Sequence, residues 1–376
     1  MDSKHGIKDL LTIGTSQFIS QIILGLFWLY LASIVSKSEY GELGFLMSIV
    51  NVAAVVSVLG LASTVVVYEA KKENVFPVSL IIVLIVSSIT FIVTFFLYQN
   101  FAISILAMGQ AFFTLMIAGI NSQKRYGNLS WHRILRSLAT IIFAIILYQY
   151  FGITGIILGY FIATLFIVKE IFTLLKGRKI DFPTLRTKIV FTAYSFINTL
   201  SNVFFYWGDK AIIGIIFGFS MLASYQLAGQ YMLLMEGIPI SLMVYLVPQE
   251  SEGRKNKKIK IFSLIISILI AIVSILAIPF AVIEILPDYE DAILPIQILS
   301  LSVIPLTISA IQQSEFLGKE NSRAVLIGGI IKSGLYLLFI PLLGTPFGLE
   351  GIAIGLLVSA IVRVIYNMGA RKVLNL

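Results

Sequence analysis

Five charged residues lie inside long apolar segments of the sequence, and their side chains are the ones best placed to do chemistry there. They are Asp209, Lys210, Glu236, Lys332 and Arg363. At 1.5 Å per helical residue, Lys210 lies about 12 Å from the outer end of its segment, Lys332 about 13 Å from Arg323, and Arg363 about 12 Å from Arg371. A charge at that depth in a bilayer costs at least about 2.5 kcal/mol, so it normally faces a water-filled cavity or an opposite charge.

The residue types suggest what such a cavity would bind. Lys210, Lys332 and Arg363 together favour an anionic substrate, because cations compensate phosphate oxygens where water is scarce. Asp209 and Glu236 are candidates for binding a coupling cation, H⁺ or Na⁺, or for pairing with the cations. The alternative to a cavity is a structural ion pair, for example between Asp209 and Lys332, that only holds helices together.

Residues for enzymatic chemistry are absent from the sequence. It contains no phosphate-binding G-x-x-x-x-G-K-[ST] motif and no nucleophile elbow. It has no cysteine, and its two histidines are too few for a histidine metal cluster. We therefore predict no catalytic residue, no metal site and no cofactor, and expect that the protein is not an enzyme.

The elements that must position the charges are membrane-spanning helices. Hydrophobic residues make up 58% of the chain and charged residues 12%, whereas soluble domains contain roughly 45–50% apolar residues. Many apolar blocks approach or exceed the ~20 residues that cross a bilayer. We predict an all-α polytopic protein with about twelve spans, at residues 10–34, 43–67, 77–98, 101–120, 133–150, 153–175, 190–217, 220–247, 259–286, 292–312, 323–343 and 347–369.

The basic residues orient these spans. With the N-terminus inside, 22 of the 27 basic residues fall in predicted inner segments and only Lys37 falls in an outer loop, as the positive-inside rule requires. We predict a cytoplasmic location for both termini. The longest basic run, Arg254 to Lys260, is then an inner loop that meets anionic membrane lipids, and nucleic acid is not expected as a partner.

An internal repeat divides the chain. Three short patterns recur in the same order in both halves: Glu39-Tyr40-Gly41 as Ser224-Tyr225-Gln226, Ile120 with Gly127 as Ile311 with Gly318, and Gly152-x-x-Gly155-Ile-x-x-Gly159 as Gly348-x-x-Gly351-Ile-x-x-Gly355. The third pattern is best explained by close helix packing. We predict two six-helix lobes, residues 1–180 and 181–376, related by a pseudo-twofold along the membrane normal with the substrate path between them.

Several of these stretches resemble a known family. The turn from Leu31 to Gly44, the small residues Gly60-Leu61-Ala62-Ser63, and Gly208-Asp209-Lys210 followed by the Ser224-Tyr225 turn are similar to the pattern of Wzx-type polysaccharide flippases of the MOP exporter superfamily. The resemblance covers essentially the whole chain. Lys332, Glu236 and Arg363 match no motif of the family, so their proposed roles rest on membrane depth.

The resemblance implies a function. Such a flippase translocates an undecaprenyl-pyrophosphate-linked oligosaccharide, an O-antigen or capsule repeat unit, across the bacterial cytoplasmic membrane by alternating access. Its partners would be the lipid-linked oligosaccharide, membrane lipids, a coupling ion (H⁺ or Na⁺) and a glycan polymerase or assembly complex. Two alternatives stay open: a cation-coupled multidrug exporter of the same superfamily, and a non-transporting membrane scaffold for glycan assembly.

Overall fold

A computed structural model describes residues 3–251, 256–319 and 321–374, and these residues form helices joined by short turns, without a β-strand. The first part of the chain contains α1 (Ser3–Ile34), α2 (Lys37–Val58), α3 (Leu61–Ala70), α4 (Phe76–Tyr98), α5 (Phe101–Ser122), α6 (Tyr126–Leu165), α7 (Val168–Leu175) and α8 (Phe182–Arg186). The second part contains α9 (Ile189–Phe217), α10 (Phe219–Met235), α11 (Gly237–Ser251), α12 (Lys257–Ile285), a 3₁₀ turn (Pro287–Ala292), α13 (Ile293–Gly318) and α14 (Ser322–Val373).

The helices correspond to the predicted spans, with two kinds of difference. Seven helical segments of the described chain are long and apolar enough to cross a membrane. Three predicted spans are each broken once: 43–67 at Gly60, 153–175 between Leu165 and Val168, and 220–247 at Glu236. Two predicted pairs of spans follow each other within α6 and α14 without a loop, and each pair meets at a glycine with a non-helical backbone, Gly152 or Gly348. The all-α polytopic fold class with about twelve spanning segments is confirmed.

Large apolar side chains on the outside of the helices are consistent with a lipid environment. The exposed faces of α4 and α12 carry Phe96 and Leu97, 70% and 71% exposed, and Phe280, 78% exposed. A soluble protein would not leave such extended apolar faces in water, whereas a bilayer solvates them without cost. The chain is a multi-pass membrane protein.

The repeated glycine pattern forms the same backbone device twice. Gly152 has φ 56° and ψ −141°, and Gly348 has φ 60° and ψ −142°. An L side chain rarely adopts this region, so each glycine lets a long helix reverse direction. Gly155 and Gly351 then lie where the two arms touch: a Cβ on either would be 2.1 Å from the carbonyl oxygen of Leu147 or Leu343. The close-packing role predicted for this pattern is confirmed.

Contacts divide the chain into two compact units, which are described separately. The first unit comprises the described residues up to Phe27 together with Phe45–Ala211, and the second unit comprises Trp28–Gly44 together with the described residues from Ile212 onward. The second unit therefore includes the segment Trp28–Gly44 of the first half of the chain, and the first unit extends to Ala211 in the second half. The predicted lobes, 1–180 and 181–376, stay a prediction.

The first unit has an apolar core at the end of its bundle where α3 passes to α4. Phe76, Leu115 and Ile120 are completely buried there. Glu69 closes the same end, because its carboxylate accepts hydrogen bonds from the backbone N–H groups of Val75 (2.9 Å) and Phe76 (2.8 Å) at the start of α4. A carboxylate at a helix N-terminus satisfies otherwise unpaired donors.

Ion pairs mark both ends of the second unit. At the α12–α13 turn, Lys37 Nζ lies 2.6 Å from Asp291 Oδ1. At the opposite end of these two helices, Lys260 Nζ lies 2.8 Å from Glu315 Oε1, and Arg371 lies 3.2 Å from the same carboxylate. Residues predicted on opposite sides of the membrane thus lie at opposite ends of the unit. Which end faces the cytoplasm stays a prediction.

Candidate functional site

Three of the five predicted charges come together inside the second unit. Glu236 follows the last residue of α10, and Lys332 and Arg363 occupy the two arms of α14. The chain of α14 reverses direction at Gly348. Lys332 precedes this turn by sixteen residues and Arg363 follows it by fifteen. Both side chains therefore lie at the same depth, about 24 Å from the turn. We call Glu236, Lys332 and Arg363 the charged layer.

The charged layer is electrostatically unbalanced. Lys332 is attracted by Glu236 and repelled by Arg363, so the layer contains two cations and one carboxylate. All three side chains are partly accessible rather than buried. In a medium of low dielectric constant, an anion that enters the site is attracted strongly by an excess cation, whereas a neutral molecule is attracted much less. This arrangement can bind an anion.

Hydrogen bonds hold the layer in place. The Arg363 guanidinium donates to Gln313 Oε1 through Nη2 at 2.8 Å. Gln313 in turn donates to the backbone oxygen of Ser309 (3.1 Å) and to its hydroxyl (3.0 Å). The hydroxyls of Tyr225 and Tyr336 are 2.6 Å apart, and Tyr336 lies one turn beyond Lys332. Arg363 is therefore held by hydrogen bonds between helices rather than by a loop, and Lys332 lies on the same helix as Tyr336.

Asp209 and Lys210 belong to the first unit, where they lie beside each other. Asp209 Oδ1 accepts a hydrogen bond from the backbone N–H of Lys210 at 2.7 Å and lies 3.6 Å from its ammonium. The ammonium is also 5.0 Å from the ring centroid of Trp207. The predicted roles of this pair in substrate binding and ion coupling stay predictions.

Arg136 is a further cation inside a helix, although its position in the sequence predicted an inner loop. It lies ten residues inside α6, where its guanidinium donates to Gln110 Oε1 and stacks 4.1 Å from the ring centroid of Phe113. Arg136 precedes Gly152 by sixteen residues, the same interval that separates Lys332 from Gly348. The repeat was therefore a signal that could have identified it.

A second equivalence runs through the tyrosine turns. Asn51 follows Tyr40 by eleven residues, and Glu236 follows Tyr225 by eleven. Asn51 and Gln110 line a small cavity of about 80 Å³ in the first unit, together with the hydroxyls of Ser63, Thr114 and Thr199. A polar cavity of this size accommodates water. The repeat thus places polar residues at matching positions in both units but supplies a carboxylate only in the second.

The expectation that the protein has no metal site stays a prediction. Within the described ranges 3–251, 256–319 and 321–374, no three His, Asp or Glu side chains gather closely enough to hold a metal ion.

A family model described as "Polysaccharide biosynthesis protein" matches residues 30–258, more than half of the sequence. The chain belongs to this polysaccharide biosynthesis protein family. The match spans α2 to the start of α12 and so includes Asp209, Lys210 and Glu236 of the predicted site. No curated protein matches the sequence.

Solved structures of similar fold are members of one group of membrane proteins. Lipid II flippase MurJ in an inward closed conformation has a TM-score of 0.74 and 15% identity, with 96% of this chain and 87% of that chain covered. An inward-facing multidrug resistance MATE transporter of the MOP superfamily has a TM-score of 0.73 and 14% identity, with 97% of both chains covered. At this identity the likeness shows the fold, and this family member has the fold of MOP-superfamily transporters.

A third structure of similar fold has a name that concerns its binding pocket. It is a MOP superfamily transporter from Pyrococcus furiosus whose reverse pocket polarity suggests a different function. Its TM-score is 0.58 and its identity 14%, with 97% of this chain and 93% of that chain covered. Pocket charge therefore varies on this fold, and function must be argued from the site itself.

Proposed function

We propose that this protein is a flippase that translocates an undecaprenyl-pyrophosphate-linked oligosaccharide, an O-antigen or capsule repeat unit, across the bacterial cytoplasmic membrane by alternating access. The observation that carries the proposal is the charged layer, in which Lys332 lies between the attraction of Glu236 and the repulsion of Arg363. A pyrophosphate would supply the missing negative charge, and Arg363 can bind phosphate oxygens through two N–H groups at once. Lys210 would be a third contact for the substrate.

Two comparisons support the substrate class. The family is named for polysaccharide biosynthesis, and one protein of closely similar fold is named a lipid II flippase. The proposed arrangement has both termini in the cytoplasm, lobes at residues 1–180 and 181–376, and Asp209 or Glu236 as the site for a coupling H⁺ or Na⁺. A glycan polymerase would receive the translocated unit.

Complementation tests the function directly. The chain is expressed in a bacterium that lacks its own O-unit flippase, and surface polysaccharide is measured. We expect restoration by the wild-type chain, and loss of restoration in the triple variant Lys210→Gln, Lys332→Gln, Arg363→Gln. Lys319→Gln is the matched control, because Lys319 is exposed at the end of α13. Full restoration by the triple variant would sink the proposed role of the cations.

A multidrug exporter is the second candidate, because MATE transporters have the same fold. The carboxylate of Glu236 and the paired rings of Tyr225 and Tyr336 are groups that a cationic drug could contact. This function predicts that the chain raises the resistance of a drug-sensitive strain and that Glu236→Gln removes the gain, while surface polysaccharide is unaffected. A scaffold function predicts neither transport effect.

A further inference from the structure

A large apolar groove lies in the first unit, and no residue of the charged layer lines it. Its volume is about 980 Å³. Three elements form its walls: the break between α2 and α3, the first turns of α4, and the segment from α8 into α9. The lining residues on these walls include Leu59, Leu61, Val78, Ile82, Leu185 and Ile189.

The backbone at Gly60 explains why the groove is there. Gly60 has a positive φ of 76°, and a Cβ on it would lie 2.5 Å from the backbone of α9 at Thr192 and Phe196. The hydroxyls of Thr64 and Thr192 are 2.8 Å apart beside this contact. The α2–α3 break therefore packs directly against α9. The groove lies beside this contact, between the break, α4 and α8.

The walls of the groove are mainly apolar, and the charged residue among the lining residues, Arg186, lies at one end of the groove. Arg186 lines the groove at the end of α8, next to the hydroxyl of Thr187. Two neighbouring cations are neutralised, because Arg178 pairs with Glu69 and Lys188 lies 2.8 Å from Glu73. In the part of the chain that the structure describes, Arg186 is exposed and makes no ion pair.

We propose that this groove holds the hydrocarbon chain of a single-chain isoprenoid phosphate, with the phosphate bound by Arg186. The proposal rests on the proposed function, since that lipid would be the carrier of the oligosaccharide. An apolar slot that ends in one unneutralised guanidinium is complementary to a long apolar chain that ends in one phosphate. A groove of this volume is at the upper end of the range for small-molecule sites, so it accommodates a section of a long chain.

The bilayer limits how such a site can select its ligand. A hydrocarbon chain gains no hydrophobic free energy when it moves from lipid into an apolar groove, because lipid tails are as apolar as leucine side chains. Selection must therefore come from the phosphate contact and from the shape of the slot. In the orientation proposed above, Arg186 lies at the inner face of the membrane, where the carrier would be held while its polar cargo enters the protein.

Native mass spectrometry of the purified full chain with undecaprenyl phosphate tests the proposal. We expect at least about tenfold weaker binding in Arg186→Gln, because the phosphate loses its charge partner. We expect a similar loss in Ile82→Trp and in Ile189→Trp, which fill the groove from opposite walls. The matched controls are Lys176→Gln, an exposed cation that does not line the groove, and Ile85→Trp on the outer face of α4, 55% exposed. Both controls should bind like the wild type.

Competition separates the sources of binding. Inorganic phosphate at equal concentration should not displace the lipid, and phosphatidylglycerol, which has two chains, should displace it at least about tenfold less well than unlabelled undecaprenyl phosphate. Unchanged binding in Arg186→Gln and in a correctly folded tryptophan variant would overturn the proposal, as would equal displacement by phosphatidylglycerol. Thermal unfolding shows which variants are folded. The assay contains no oligosaccharide and no transport step, so its outcome is separate from that of the complementation test.

Discussion

Matching positions in the two units carry different chemistry on the same helical frame. Arg136 and Lys332 each precede a hairpin glycine by sixteen residues, and Asn51 and Glu236 each follow a tyrosine of the repeat by eleven. In the first unit the cation stacks on Phe113 and binds an amide oxygen. In the second unit the cation faces a carboxylate and another cation.

This difference between the units distinguishes residues that are kept for helix packing from residues that are kept for function. Packing requires small residues where helices touch, and both units keep them. A buried cation can be accommodated by an aromatic face and an amide, as in the first unit, and this leaves no excess of charge that a ligand could neutralise. The second unit places Lys332 close enough to Arg363 for the two cations to repel each other, and an anion bound between them would relieve this repulsion. We infer that the second unit carries the main anion contact.

The largest effects should come from the shared frame and should be equal in both units. Gly155→Leu and Gly351→Leu each place a side chain where a Cβ alone would lie 2.1 Å from a carbonyl oxygen. Because the backbone of the facing arm must move, we expect a loss of about 4 kcal/mol or more, enough to prevent accumulation of folded protein. Yield of monodisperse protein in detergent measures this.

Gly369→Ala is the control for these variants, since a Cβ there would meet no atom within 4 Å. It should leave the yield unchanged or raise it, because alanine favours a helix over glycine by about 1 kcal/mol. A large loss in one hairpin and none in the other would show that the two frames are not equivalent.

The next prediction separates the two equivalent cations. Lys332→Gln should lower transport at least about tenfold while leaving the melting temperature nearly unchanged, because it relieves repulsion from Arg363 as it removes attraction to Glu236. Arg136→Gln should lower stability by about 2 kcal/mol through the lost ring and amide contacts. Its transport, normalised to folded protein, should stay close to the wild-type level. Surface polysaccharide and thermal unfolding are measured on the same variants.

A charge exchange tests whether Glu236 and Lys332 are only a structural pair. Glu236→Gln leaves two neighbouring cations without their carboxylate, so we expect a loss of about 1–3 kcal/mol in stability. The double variant Glu236→Lys, Lys332→Glu should recover much of that stability. We expect transport to stay low, because the lysine would then lie at position 236, after α10, instead of at position 332 in α14. Recovery of both properties would favour the structural pair.

Sequence patterns predicted most of the fold, because bilayer physics acts on single segments. Length and apolar content identify a span without knowledge of its neighbours, and Gly152 and Gly348 were recognised by spacing alone. The breaks at Gly60 and Glu236 were not predicted, because a glycine or a glutamate within an apolar run is also compatible with a continuous helix. Whether such a run bends depends on what packs against it.

The candidate site was predicted only in part, and the reason is again packing. Membrane depth selected Glu236, Lys332 and Arg363 one by one, but the turn at Gly348 brings the last two to the same level. Gln313 and Tyr336 were not identified, since neutral polar residues in an apolar helix give no clear signal. Arg136 was missed because α6 begins ten residues before it, at Tyr126, and so extends past the predicted loop.

A smaller effect should come from the carboxylate that closes the first unit. Glu69 is nearly buried, pairs with Arg178 and accepts two backbone N–H groups of α4. Glu69→Ala leaves those donors without an acceptor, and we expect a loss of about 2–3 kcal/mol. Thermal unfolding measures it, and Glu73→Ala is the control, since Glu73 contributes only a half-exposed pair with Lys188.

The smallest effect should come from the ion pair between Asp291 and Lys37, at one end of the second unit. Asp291 accepts from Lys37 at 2.6 Å and from the Ser224 hydroxyl at 2.9 Å, but its side chain is 53% exposed. Water and salt screen such a carboxylate, so Asp291→Asn should cost about 0.5 kcal/mol or less, and the loss should shrink further in high salt. Thermal unfolding at two salt concentrations checks both statements. A loss as large as that of Glu69→Ala would mean that the turn between α12 and α13 carries part of the stability of the second unit, and the two units would then differ less at their ends than at their charged interiors.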